Sequence, residues 1–284
     1  MRFGRSSTTR RKKTNTQMGI KYKKFIEENL KIVDKNMNTV PFILNKPQQR
    51  IYNDMEGMDI VLKARQEGFS SLFNAMFLTD FILIQNSYSV IVCDIDDNAR
   101  LMLERIKMFL DFYEEINNFK LKLRYKSKTE LYYPYMNSRI HIGTARATEF
   151  GRSRTIKNLH LSEAAFYPNI SQILAGAGQA VVDGGRIIIE TTANGFNEFK
   201  DFWEQSKRDE TGFKPHFFSA DDFYDEEFLK KKEKQLGRLY TQEYPSADME
   251  AFVASGQCYF DTDTLKKYYD EALMPGKFVS EALV

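Results

Sequence analysis

Short apolar runs, separated by polar turns and amphipathic stretches, set the pattern of this chain. Ile60 to Leu62 reads as a buried strand, and Ser89 to Asp94 as a second. Asn158 to Leu161 and Arg186 to Glu190 read as a third and fourth, the last introduced by the turn Asp183-Gly184-Gly185. Between them lie helical patterns. One runs from Ser70 to about Asn86, and Asp97 to Asn117 forms a long amphipathic helix with Leu101, Ile106, Phe109, Leu110, Phe112 and Tyr113 near one side. Further helices are predicted over Tyr22 to Lys35, Gln48 to Met55, Ile170 to Val181 and Phe196 to Lys207; Gly176 and Gly178 weaken the third of these. Glu130 to Tyr135, Arg139 to Thr144 and Pro215 to Phe218 are the remaining predicted strands. Such alternation predicts an α/β fold, a mostly parallel sheet with helices on both faces. Ligands of these sheets sit at the carboxyl ends of the strands. Lys63 to Ser70, Ser162-Glu163 and Thr191 to Asn194 all fall at that edge.

Three of these strand ends carry chemistry. Lys63-Ala64-Arg65-Gln66-Glu67-Gly68-Phe69-Ser70-Ser71 joins a strand to a helix. That layout suits a phosphate-binding loop, in which backbone N–H groups face an anion and a hydroxyl ligates Mg²⁺. Laid on G-x-x-x-x-G-K-[ST], Gly68 is the second glycine and Ser70 the metal hydroxyl, while Phe69 replaces the lysine and Lys63 the first glycine. A plain strand-to-helix turn capped by Ser70 or Ser71 fits the same letters. Glu163 ends the third strand, where nucleotide hydrolases place a carboxylate that orients and deprotonates water; an acid capping the next helix is the other reading. The usual companion aspartate is replaced by Ser162, which brings a hydroxyl but no charge. Thr191, Thr192 and Asn194 end the fourth strand and can sense a γ-phosphate or cap a helix.

Composition narrows the classes. Hydrophobic content of 42%, charged content of 28% and net charge +2 are those of a globular chain, not a polycation. The charge is uneven, with Arg2, Arg5, Arg10, Arg11, Lys12, Lys13, Lys21, Lys23 and Lys24 preceding the first acid, Glu27. That head reads as a mobile arm, either phosphate- or partner-binding or simply solvated. No run of about 18 apolar residues exists, so no membrane span is expected. Cys93 and Cys258 lack metal-ligand spacing, Cys93 reads as a core thiol, and the chain reads as cytosolic. His141, His160 and His216 are scattered in strand-like stretches, as packing residues rather than ligands.

With these residues together, the chain resembles the large terminase subunit of tailed bacteriophages over roughly residues 41 to 261. The likeness rests on Lys63 to Ser71 as a deviant Walker A and on His160-Leu161-Ser162-Glu163-Ala164-Ala165-Phe166 as Walker B with its acid. It continues with Glu190-Thr191-Thr192-Ala193-Asn194-Gly195 as coupling motif, Gln242-Glu243-Tyr244-Pro245, Glu250-Ala251-Phe252 and Ser255-Gly256. The resemblance implies a RecA-like, additional-strand P-loop ATPase core over residues 25–220, with 1–24 as the basic arm and 221–284 as a helical linker subdomain. It implies ATP and Mg²⁺, with Lys63 and then Arg65 on the phosphates, Ser70, Ser162 and Glu163 toward the metal, and Gln48 or Gln49 beside the adenine. Arg146 and Arg152 are the candidates for an arginine acting on a neighbour's site; a surface contact is the other reading of each. Implied partners are double-stranded DNA, a portal and procapsid, a small terminase subunit and sister subunits in a ring, in the host cytoplasm.

The family's carboxyl-terminal nuclease is not expected, since only residues 265–284 follow Thr264. Asp221-Asp222, Asp225 to Glu227 and Asp261/Asp263 read instead as helix caps and first-turn acids. The competing functions are a superfamily 2-like helicase or translocase and a nucleotide- or DNA-binding module without turnover.

Overall fold

The computed structural model describes residues 22–146, 154–254 and 267–268. The chain opens with α1 (Tyr22–Asn29), a hairpin of β1 (Lys31–Val33) and β2 (Thr39–Pro41), and α2 (Lys46–Asp54). Then come β3 (Met58–Lys63), α3 (Phe69–Leu83), β4 (Tyr88–Cys93), α4 (Asp96–Ile116), β5 (Tyr125–Lys126), β6 (Glu130–Tyr133) and β7 (Ser138–Thr144). The second half runs β8 (Ile156–Ser162), α5 (Ile170–Gly176), β9 (Val181–Thr191), α6 (Glu198–Lys207), β10 (Lys214–Phe218), α7 (Glu226–Leu236), α8 (Tyr240–Glu243) and α9 (Asp248–Ala254).

The main sheet has the order β10-β3-β9-β8-β4-β7-β6-β5. Its strands from β10 to β7 are parallel, and β6 and β5 are antiparallel at one edge. β9 is interposed between the loop strand β3 and the Glu163 strand β8, as an additional-strand core requires. Alternation along each strand divides the core into two layers. Val61, Ile91 and Ile188 face a layer with Phe73, Phe77, Phe81 and Phe109 from α3 and α4. Ile60, Leu62, Val90, Val92, Leu159, Leu161, Ile187 and Ile189 face the other, with Phe199, Trp203 and Phe252. α3 is buried almost all round, so its sequence carries little amphipathic signal. A small third cluster joins Ala64 and Ala220 to Tyr224, Leu229 and Tyr244, which seats α7 and α8 against the loop after β3.

Several sequence-based boundaries are corrected. The predicted helix from Tyr22 to Lys35 stops at Asn29 and gives way to the β1–β2 hairpin. Asp34 decides this: its carboxylate accepts from the backbone N–H of Asn36 and Asn38, both at 2.8 Å, and this local turn competes with helix. The predicted helix from Ile170 to Val181 ends at Gly176. The strand expected from Arg186 begins already at Val181, and Asp183 to Gly185 form an irregularity inside it. The register jumps there, from Val181 opposite Ile156 to Arg186 opposite Asn158. Gly185 packs so closely that a Cβ would lie 2.6 Å from the Lys157 carbonyl. Asp225 caps α7, accepting from the Phe228 N–H, as expected of that acid.

Candidate active site

The strand-to-helix loop after β3 is built to leave a helix end open. α3 starts at Phe69, and Gly68 before it has φ +83°, a left-handed conformation that favours glycine. No side chain caps the helix, which decides against the capped-turn reading: Ser70 and Ser71 lie inside the first turn. Its free N–H groups and dipole suit an anion. Gln66 also has positive φ, at +60°. The loop is braced from α2, where Asn45 and Gln48 form a capping box. Asn45 Nδ2 donates to the Glu67 carbonyl at 3.0 Å, and Gln48 Nε2 to the Gly68 carbonyl at 2.7 Å. Gln49 donates to the Leu44 carbonyl at 2.7 Å and accepts from Lys23. Both amides expected beside the adenine are therefore engaged in holding protein. Phe69, in the usual lysine position, is fully buried, 4.5 Å from the Phe218 ring, so a lysine there would point into the core. Ala64 donates its N–H to the Phe218 carbonyl and anchors the other end of the loop.

Six side chains converge beneath this helix end. Lys63, the last residue of β3, is buried, and its Nζ donates to Glu163 Oε1 at 3.2 Å and lies 3.8 Å from Glu190 Oε2. Ser70 Oγ donates to Glu190 Oε1 at 2.5 Å, and Ser162 Oγ to the same oxygen at 3.2 Å. His160 Nε2 stands 3.1 Å from it. Burial disfavours the Lys63 ammonium, but the carboxylates of Glu163 and Glu190 outweigh it, and the pKa is raised. Burial also disfavours the Glu190 carboxylate; Lys63, His160 and Ser70 outweigh it and hold the pKa at about 2. Glu163 sits at φ +58°, rare for a residue with a side chain, and caps nothing; its Oε2 accepts from the Thr192 N–H at 3.3 Å. Thr191 Oγ1 lies 3.5 Å from the same oxygen. Asn194 Nδ2 donates to the Ala165 carbonyl at 3.1 Å, and the cap of α6 is Asn197. The end of β9 therefore grips the Glu163 turn directly.

These residues border a cavity of about 370 Å³ lined by Lys63, Arg65, Gln66, Ser70, Ser162, Glu163 and Thr192. Its far wall was missed by the sequence reading. Asp94 directly follows β4 at the same carboxyl edge, and Asn98, Leu101, Met102 and Arg105 project from α4. The spacing of these four, i, i+3, i+4 and i+7, is one helix face, the available signal. Glu190 was read as part of a motif and given no role, although it too is a polar strand end. Glu67 is buried, its carboxylate oxygens without hydrogen bonds, and burial pushes its pKa up to about 9. Ser71 is buried as well. Arg65, expected on the phosphates, has its guanidinium paired with both carboxylate oxygens of Glu243 at the end of α8. Its carbonyl accepts from the Tyr224 hydroxyl at 2.7 Å. Arg146 is exposed just beyond β7 and does not line the cavity; Arg152 lies outside the described residues.

Among the described residues no group of three or more His, Cys, Asp and Glu side chains is placed to hold a metal by itself. The hydroxyls of Ser70 and Ser162 and the Glu163 carboxylate nonetheless form a hard oxygen set at one wall. Beneath them Glu190 Oε2 is buried and accepts no hydrogen bond. That donor set fits a Mg²⁺ shared with phosphate oxygens. No described helix is long and apolar enough to cross a membrane.

No family model and no curated protein matches the sequence. Solved structures do match. The large terminase ATPase domain of Thermus phage P74-26 superimposes with TM-score 0.57 at 17% identity, over 69% of this chain and 90% of that one. The large terminase of bacteriophage HK97 gives TM-score 0.57 at 14% identity, over 89% of this chain and 51% of that one. The large terminase of another thermophilic bacteriophage, in complex with ADP, gives 0.51 at 12% identity, over 73% of this chain and 52% of that one. The chain thus spans about half the length of the latter two proteins. Its structural neighbours are large terminase ATPase domains, and it shares their fold, with the Lys63–Glu163 cavity at the carboxyl edge of the shared sheet.

Proposed function

We propose that this chain is the ATP-hydrolysing motor domain of a phage large terminase subunit. The observation that carries the reading is the meeting of Lys63, at the end of β3, and Ser70, in the first turn of α3, with Glu163, just past the end of β8, at an uncapped helix N-terminus. Residues 66–71 would wrap the phosphates through the backbone of Gln66, Glu67, Gly68 and Phe69, while the Ala64 and Arg65 N–H groups stay with Phe218 and Glu243, and Lys63 would supply the buried positive charge. Glu163 pairs with that charge; a phosphate drawing Lys63 away would free the carboxylate to take a proton from water. Ser70 and Ser162 would hold Mg²⁺ beside the nucleotide, with Glu163 near it. When bound, Mg²⁺ neutralises charge on the β- and γ-phosphates. Thr191, Thr192 and Asn194 would register the state of Glu163. Arg65 would link the loop to α8 through Glu243, or turn to the phosphates. The arginine from a neighbouring subunit would be Arg146 or Arg152. The driven cargo would be double-stranded DNA, entering a procapsid through a portal, with a small terminase subunit delivering it and sister subunits closing a ring in the host cytoplasm.

Glu163→Gln is the test. Phosphate release should fall by at least about 100-fold, since general-base catalysis contributes on that order, while ATP binding persists. Equal loss of binding and turnover in a folded protein would refute the role. A wild-type chain that binds ATP and never releases phosphate, even at high concentration with DNA, would belong to the non-hydrolysing class instead.

A further inference from the structure

Glu190 is the last buried acid of β9, one residue before the end of the strand. It stands opposite Ser162 of β8 on one side and Val61 of β3 on the other, at the centre of the carboxyl edge. The residue is fully buried, a costly place for an ion. A glutamine of the same shape could still accept hydrogen bonds from Ser70 and Ser162, so those bonds alone do not call for a charge.

The direction of those bonds is informative. An ionised carboxylate only accepts, so both serine hydroxyls must spend their protons on Glu190 Oε1. Their lone pairs are left for the cavity that both serines line. Hard divalent cations are ligated by such lone pairs. The other oxygen, Oε2, accepts no hydrogen bond. Position 162, meanwhile, lacks the carboxylate that nucleotide hydrolases of this architecture place there to hold the metal.

Resting on the nucleotide-site reading above, we propose that Glu190 supplies from the neighbouring strand the negative charge that Ser162 lacks. It acts as a positioning residue for Mg²⁺: it orients the hydroxyls of Ser70 and Ser162 and balances the cation from beneath the site. The metal-supporting acid of this chain has moved one strand across the sheet.

The test reads metal coupling rather than turnover. The full chain is titrated calorimetrically with ATPγS in EDTA and again in excess Mg²⁺, and the ratio of the two affinities is the Mg²⁺ increment. Glu190→Gln should lose about 10- to 100-fold of that increment, the usual cost of removing a residue that supports metal ligands, whatever the loss of its contact with Lys63 does to the EDTA affinity. The double variant Ser162→Asp/Glu190→Gln, which returns the charge to β8, should recover most of it. The inference is overturned if Glu190→Gln keeps the wild-type increment, or if the double variant is no better than the single one. An acid that merely neutralised Lys63 would change the EDTA affinity and leave the increment alone. If Glu190→Gln fails to fold by circular dichroism, the double variant decides: an increment supports the inference, and none overturns it. No ATPγS binding by the wild-type chain in either buffer is a failure of the nucleotide reading itself.

Discussion

Two buried polar clusters share the same pair of strands, and they are finished differently. At one, Asp80 of α3, Asn158 of β8, Arg186 of β9 and Tyr22 of α1 form a closed set. Arg186 donates to Asp80 and Asn158, each at 2.9 Å, and to the Tyr22 hydroxyl at 2.7 Å. Tyr22 donates to Asp80 at 2.6 Å and Asn158 donates to Asp80 at 2.9 Å. Further along the same register, Ser162 and Glu190 belong to the cluster with Lys63, Ser70 and Glu163. There Glu190 Oε2, His160 Nδ1 and both Glu67 oxygens are buried without hydrogen bonds. A closed network rigidifies, and an open one carries a cost that a ligand can relieve. The strand pair therefore has a closed end, which pins α1 and α3 to the sheet, and an open end beside the cavity.

The largest expected effect breaks the closed end. Arg186→Met leaves Asp80 buried without its cation, and should cost about 3–5 kcal/mol in urea denaturation. The Mg²⁺ increment of whatever folded protein remains should be unchanged; an accompanying loss would mean that the two ends are one unit. Gly68→Ala should cost less, about 1–3 kcal/mol for a left-handed residue with a side chain. Its Cβ would stand 2.8 Å from Gln48 Nε2, so the brace must move and nucleotide affinity should fall along with the melting temperature. Unchanged affinity would show that the brace does not shape the loop.

The last effect is a slope, small over any one step of pH. Glu67 keeps its proton in the folded chain up to about pH 9, against an ordinary 4.5, because burial outweighs the attraction of Lys63. The native state binds the extra proton, so its contribution to stability is full below pH 4.5 and is lost as pH rises toward 9. Glu67→Gln lacks that slope. Its unfolding free energy relative to wild type should climb between about pH 5.5 and pH 8.5, by up to about 1.4 kcal/mol per pH unit, read as a widening gap in melting temperature. Parallel curves would place the Glu67 carboxylate in a wetter setting.

Much of this was legible in the letters, for reasons that can be named. Buried parallel strands are apolar on both faces, so Ile60 to Leu62 and Ile187 to Ile189 announce themselves, and polar residues after the strand ends line the cavity at the carboxyl edge. The α1 boundary was not legible, because Asp34 ends the helical pattern through a side-chain turn that periodicity does not register. Nor was the role of Gln48, whose amide braces a loop 20 residues later in the chain.

The sequence by itself determined the alternation of strands and helices, and with it which residues share an edge, since a strand's two-residue period and its end are local properties. Only the tertiary structure decided strand order. Because β9 lies between β3 and β8, Glu190 meets Ser70 and Ser162 across gaps of 120 and 28 residues. No local pattern encodes a contact made through a neighbouring strand.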